Sequence, residues 1–164
     1  MIISDSSPLI HLTRLGKINY LLKIASPILI PKAVYDEVII DGKKENYIEA
    51  RVIENLINQG EILVKKVTIA ENMFNSALGR GELEALELAK QENVLLIVDD
   101  RKARNLAQLL EIKYQTTITT IFEILLAKKI DLSEYKTNLK KYAEDCWISA
   151  DIIQEYLDRG EKFG

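Results

Sequence analysis

The chain is poor in the residues that build covalent or soft-metal sites. Its 164 residues include one cysteine, one histidine, one tryptophan and three prolines. Cys146 alone can form neither an internal disulfide nor a cysteine-built zinc site, and His11 alone excludes an all-histidine centre. No apolar run reaches the about 18 residues that a membrane span requires. Met1-Ile2-Ile3 runs straight into Ser4-Asp5 without a basic flank, which is not the pattern of a secretory signal. A large excess of charge is also missing. The net charge is −3 and the pI near 5.4, so any nucleic-acid contact must come from a local basic patch rather than the field of the whole molecule. What remains is an ordinary globular mix, 48% hydrophobic and 29% charged, at the usual length of one domain. These features predict a cytoplasmic protein with no membrane association. They predict one domain over residues 1–164, in which 134–164 form a C-terminal helical extension packed on the rest.

Ile2-Ile3 reads as a short buried strand ending at Asp5. Ser7-Pro8 reads as a helix start, a hydroxyl cap followed by proline in the first turn, with Gly16 as its stop. Ile28-Leu29-Ile30 is a second strand between Pro27 and Pro31. A helical pattern resumes there, with Val34, Val38 and Ile39 on one side and Asp36 and Glu37 between them. Glu45 to Asn58 reads as a longer helix, and Ile62, Val64 and Val67 as a strand suited to a sheet edge. Gly79-Arg80-Gly81-Glu82 opens a helix with Leu83, Leu86 and Ala89 on one face and Glu84, Glu87 and Lys90 on the other. Val94 to Val98 is an unbroken apolar run, the mark of a strand covered on both faces. A helix through Ala103 and Leu110 follows, then a short strand near Ile112–Tyr114. Helices are expected from about Ile118 to Lys128, Glu134 to Cys146 (capped by Ser133) and Ala150 to Arg159 (capped by Ser149). Strands alternating with helices predict a three-layer α/β/α domain with a mostly parallel central sheet.

Chemistry in such sheets gathers beyond the carboxyl ends of the strands. Two strands here end in aspartate: Asp5, and the pair Asp99-Asp100. Carboxylates that share a crevice repel, and burial raises their pKa. A hard divalent cation such as Mg²⁺ or Mn²⁺ offsets both costs, and a metal held by acids is the usual equipment for hydrolysing phosphodiesters. Taken singly, Glu82 reads equally well as a carboxylate favoured by its helix dipole, and Glu37 as part of a solvated helix face.

Four segments in order carry a family likeness. Ile3-Ser4-Asp5-Ser6-Ser7-Pro8-Leu9-Ile10, Pro31-Lys32-Ala33-Val34-Tyr35-Asp36-Glu37-Val38, Gly79-Arg80-Gly81-Glu82-Leu83-Glu84-Ala85 and Leu96-Ile97-Val98-Asp99-Asp100-Arg101-Lys102-Ala103-Arg104 resemble the successive motifs of PIN-domain proteins. They are most similar to an uncharacterised prokaryotic branch related to VapC-type toxins. The resemblance implies a ribonuclease that uses one or two Mg²⁺ or Mn²⁺ ions. Asp5, Glu37, Glu82 and Asp100 match its acidic positions, with Asp99 competing for the fourth. Asp100 is favoured because it heads the Arg-Lys-Ala-Arg segment. Ser6 matches a hydroxyl position that orients the first acid or a water. The sequence departs from the pattern in carrying Glu82 where many members have Asp. A late acid is also missing, since Thr116-Thr117-Ile118-Thr119-Thr120 offers only hydroxyls. Both departures point to a weaker second metal site or a less active enzyme.

RNA is the implied substrate, with an antitoxin protein and a second copy of the chain as implied partners. Arg101, Lys102 and Arg104 are candidate phosphate contacts or, alternatively, a solvated basic face. His11 reads as structural, and Cys146 and Trp147 as packed between the last helices. Tyr114, Tyr135, Tyr142 and Tyr156 read mainly as core or interface residues. The competing function is a PIN-like binding or regulatory module with little catalysis. A phospho-accepting receiver is disfavoured, because its acidic pair would follow the first strand rather than lie near residue 100.

Overall fold

The computed structural model describes residues 1–69 and 77–163. Five short strands, β1 (Ile2–Ser4), β2 (Ile28–Pro31), β3 (Ile62–Lys65), β4 (Leu96–Ile97) and β5 (Tyr114–Gln115), form one parallel sheet in the order β3-β2-β1-β4-β5. The helices are α1 (Ser6–Arg14), α2 (Ile18–Ala25), α3 (Lys32–Tyr35), a π-helical segment Asp36–Asp41, α4 (Gly42–Lys44), α5 (Ile48–Asn58), α6 (Arg80–Glu92), α7 (Arg101–Leu109), α8 (Thr117–Leu126), α9 (Leu132–Asp145) and α10 (Ala150–Glu161).

Neighbouring residues of a strand point to opposite faces, and here both faces are apolar. Ile2, Ile28, Ile30 and Ile97 join one core with Leu9 and Leu12 of α1, Ile53 of α5 and Ile121 of α8. Ile3, Leu29, Leu96 and Val98 join another with Leu83 and Leu86 of α6 and Ala103 of α7. The strands are continuous apolar runs because helices cover both sides, and the three-layer α/β/α architecture follows. Ile3 lies in register with Leu29 on one side and Leu96 on the other, so β1 is central. From β1 the chain winds outward through β2 to β3, then crosses back to β4 and β5. The order therefore reverses between β1 and β4, and in open α/β sheets a binding crevice forms at that point.

The local differences from the sequence pattern have physical causes. Pairing of β4 with β5 covers two residues, although extended backbone continues, with Ile3 N–H donating to the Leu95 carbonyl (2.9 Å) and Val98 N–H to that of Gln115 (2.9 Å). Helix α1 starts at Ser6, one residue ahead of the expected cap, with Asp5 at the cap position. The expected Glu45–Asn58 helix begins at Ile48, because Asn46 adopts a left-handed conformation (φ 59°) that breaks the turn. Asp131, rather than Ser133, caps α9 by accepting from Glu134 N–H (2.8 Å). Ser149 caps α10 as expected. The second face of α6 is solvated at Lys90 but not at Glu84 and Glu87, which are buried along with the rest of Leu83 to Ala89. Trp147 does not pack between the last helices but stands fully exposed. His11 meets the Tyr142 ring edge-on at 5.3 Å.

The C-terminal helices close over α8 through the buried Tyr135, whose hydroxyl donates to the Tyr156 carbonyl (2.8 Å). Gly160 lies against that ring, and a Cβ there would sit 2.3 Å from Tyr135 Cε1. Gly160→Ala is therefore expected to lower stability by about 1–3 kcal/mol through overpacking. A melting temperature equal to wild type would show that α10 does not dock on Tyr135.

Candidate active site

Asp5 leaves the end of β1, where its N–H donates to the Ile97 carbonyl of β4 (3.0 Å). Asp99 follows β4 two residues later. Strand pairing thus delivers both acids to the same edge of the sheet. The π-helical segment after β2 brings Glu37 to this edge while Val38 and Ile39 remain in the core. Segments of this kind are frequent at functional sites. The first turn of α6 supplies Gly81 and Glu82. Asp5, Glu37, Gly81 and Glu82 line a crevice of about 450 Å³, and Asp99 lies outside its lining.

The Ser6 hydroxyl donates to Glu37 Oε2 (2.6 Å), fixing that carboxylate beside Asp5. A methyl group on Gly81 would lie 3.2 Å from Glu37 Oε2 and 3.8 Å from Asp5 Oδ1. Both carboxylates therefore look onto one point, and the absent side chain of Gly81 keeps it open. Asp5 is 6% exposed. Its pKa is pushed up to about 7, first by burial, against the lowering effect of the Ser6 backbone N–H. The negative charges of Glu82, Glu37 and Asp99 add to the rise.

The other acids are engaged elsewhere. Glu82 folds back to accept the Gly79 N–H at the start of α6. Asp99 is clamped by Thr117, whose N–H donates to Oδ1 (2.8 Å) and whose hydroxyl donates to Oδ2 (2.7 Å). The Asp99 charge also reaches Tyr142, whose phenol is raised by burial and then by that charge. Asp100, favoured from sequence for the fourth position, is not brought into the crevice. It is exposed and caps α7, accepting Ala103 N–H (2.8 Å). Of the two adjacent aspartates, Asp99 is the one whose charge reaches Asp5, while Asp100 is taken up by the start of α7. Arg101 and Lys102 are exposed at the start of α7, and the cations lining the crevice are Lys32 and Arg80.

A family model described as DUF3368: PIN domain matches residues 1–162. The chain is a PIN domain. Members of this family are commonly nucleases and typically use divalent metal ions. The fold is similar to that of a PilT N-terminus domain protein from the hyperthermophilic archaeon Sulfolobus solfataricus P2, at 20% identity and a TM-score of 0.51 over 79% of this chain and 94% of that one. A domain of a functionally unknown protein from Methanocaldococcus jannaschii aligns at 21% identity over 70% of this chain and 89% of that one, with a TM-score of 0.48. No curated protein matches the chain.

The donors of this PIN domain suit a hard divalent cation. They are carboxylate and hydroxyl oxygens, and among the described residues no cation pairs directly with the buried Asp5, Lys32 and Arg80 being paired with Asp36 and Glu84. Asp5 and Glu37 are the pair that would hold it, with Glu82 and Asp99 at the margin. Among the described residues, no group of three or more acids, histidines or cysteines is gathered tightly enough to hold an ion as it stands. The engagement of Glu82 with Gly79 and of Asp99 with Thr117 accounts for this. Gly81, Thr117 and Glu84 had no assigned role from sequence. The only signal was the Gly-Arg-Gly-Glu spacing, and the hydroxyl-rich run after the last strand.

In the metal-free protein, the raised pKa has a definite sign. Asp5 binds its proton more tightly folded than unfolded, so its ionisation costs stability as pH rises from about 4 to about 7. Asp5→Asn removes that cost. The variant should melt higher than wild type near pH 8, and the gap should shrink as pH falls through about 7 toward 5. His11, whose pKa burial lowers, works in the opposite direction but is common to both proteins. A variant that melts lower than wild type at every pH would make Asp5 a structural carboxylate.

Proposed function

We propose that this PIN domain is a metal-dependent ribonuclease that hydrolyses RNA phosphodiester bonds. The observation that carries the reading is the buried Asp5 carboxylate, held near neutrality in pKa and facing Glu37 across the space left by Gly81. Asp5 and Glu37 would hold Mg²⁺ or Mn²⁺, which when bound neutralises phosphate charge and acidifies water. The chain's own groups prepare the site. The Ser6 hydroxyl orients Glu37. Thr117 holds both oxygens of Asp99 and fixes its direction beside Asp5. Near pH 7 the Asp5 carboxyl exchanges its proton readily, so a cation displaces it at little cost. Role as the toxin of a toxin–antitoxin pair, with an antitoxin protein as partner, self-association and a cytoplasmic location, rests on the resemblance to VapC-type proteins.

A second reading, a binding or regulatory module with weak catalysis, is favoured by one observation. Glu37, Glu82 and Asp99 all accept hydrogen bonds within the chain. Calorimetry with Mn²⁺ separates the readings, since the module would take up no metal at Asp5.

Purified protein is expected to cleave single-stranded RNA with Mn²⁺ and to stop when EDTA is added. Asp5→Asn should cost more than the about 10- to 100-fold that loss of an outer-shell partner costs. Cleavage that survives both EDTA and Asp5→Asn would remove the mechanism. Gly81→Ala gives an independent check. Alanine favours the helix by about 1 kcal/mol, so the melting temperature should hold or rise. The methyl group should nevertheless block the point between Asp5 and Glu37 and abolish activity. Full activity in Gly81→Ala would place the reaction elsewhere.

A further inference from the structure

Among the described residues, the crevice is lined by five acidic side chains, Asp5, Asp36, Glu37, Asp41 and Glu82. Such a surface repels a polyanion unless a fixed positive charge stands among them. Two cations line it, and they are placed differently. Lys32 is paired with Asp36 one turn further along, both of them half in solvent. Arg80 is anchored: its Nε donates to Glu84 Oε1 (2.8 Å), and the Glu84 side chain is 3% exposed while that of Arg80 is 81% exposed. The other Glu84 oxygen accepts the Ala33 N–H (2.9 Å). One buried carboxylate thus joins the start of α3 to the first turn of α6 and holds the root of the Arg80 guanidinium at the crevice wall. Among the described residues, the terminal nitrogens of Arg80 meet no acceptor. A guanidinium secured at Nε loses little freedom when its outer edge binds, and that edge fits two phosphate oxygens at once.

We propose that Arg80 binds a backbone phosphate of single-stranded RNA entering the crevice, and that Glu84 is its positioning residue. The proposal rests on the ribonuclease reading of the same site. It also assigns the phosphate contact to the Gly-Arg-Gly-Glu turn rather than to Arg101 and Lys102 at the start of α7.

The test is equilibrium binding of a fluorescein-labelled single-stranded RNA of about ten nucleotides to the full chain. Binding is read by anisotropy in EDTA over a range of salt, with Mn²⁺-dependent cleavage measured in parallel. Arg80→Ala should weaken binding roughly tenfold, the size of one charge-assisted contact. It should also reduce the slope of log K against log salt by about 0.7, the value for one phosphate contact on a single strand. Arg80→Lys, which leaves Glu84 paired, should keep the slope while losing affinity, because an ammonium cannot make the paired contact. Arg101→Ala should change neither quantity. If Arg80 only neutralises Glu84, Arg80→Ala will lower the melting temperature with an unchanged salt slope, and the proposal falls. An equal loss of slope in Arg101→Ala also overturns it, since the attraction is then diffuse. Cleavage indifferent to Arg80 sinks this inference and spares the nuclease. Binding that depends on Arg80 without cleavage does the reverse, and absence of both binding and cleavage removes the two together.

Discussion

A carboxylate buried at the end of a central strand is the constraint around which this protein is organised. Asp5 has no position to retreat to. Its backbone is fixed by pairing with β4, and its side chain is enclosed by α1, the π-helical segment and α6. Burial penalises its charge, and three further acids raise the penalty. A structural role would have been served at lower cost by asparagine, which keeps the shape and sheds the charge. The fold instead adds a second carboxylate, Glu37, holds it in place with the Ser6 hydroxyl, and leaves the space between them open at Gly81. The buried carboxylates make the metal-free protein less stable, and their fixed, open arrangement makes the crevice more receptive to a cation. Stability given up at one point is the expected signature of a functional site.

Much of the frame was legible in the order of residues. The continuous runs Ile28–Ile30 and Val94–Val98 required cover on both faces, and the structure supplies it. Asp5 and the Asp99-Asp100 pair marked the carboxyl ends of strands that prove to be neighbours. The choice between Asp99 and Asp100 was not legible. It depends on which of two adjacent side chains the register turns toward Asp5, and register is a property of the paired strands rather than of either one. The basic run that follows made Asp100 the more attractive residue, yet its position ahead of Ala103 makes it a helix cap. Helix caps and metal ligands draw on the same small set of residue types, so local sequence alone does not separate them.

Glu84 shows the opposite failure. Polar residues spaced along a helix read as a solvated face, and on an isolated α6 they would be one. This helix is instead packed on the sheet and against both α3 and α7, so it has no dry-versus-wet division along its length. Glu84 is accommodated inside the protein because Arg80 and the Ala33 N–H meet its two oxygens. A buried carboxylate with one partner removed typically costs several kcal/mol, so the Arg80–Glu84–Ala33 link constrains the crevice wall as firmly as apolar packing does. The exposed Trp147 was misjudged for a related reason: the α9–α10 connection offers no neighbouring surface to cover it.

The two marginal acids differ in how firmly they are held. Glu82 is secured by a single hydrogen bond to the Gly79 N–H at a solvent-exposed helix start, and contacts of this kind are worth about 1 kcal/mol. Asp99 accepts two hydrogen bonds from the buried Thr117, and leaving those donors unmet costs about 1–3 kcal/mol each. Glu82 is therefore the more loosely held of the two, and Asp99 the more firmly fixed. The Thr117 clamp, in turn, lies in the hydroxyl-rich run 116–120. A threonine there cannot bind a cation as strongly as a carboxylate would, but it holds Asp99 in a single direction. With hydroxyls rather than carboxylates in that run, the acids whose charges raise Asp5 are Glu82, Glu37 and Asp99, with no further one added from it.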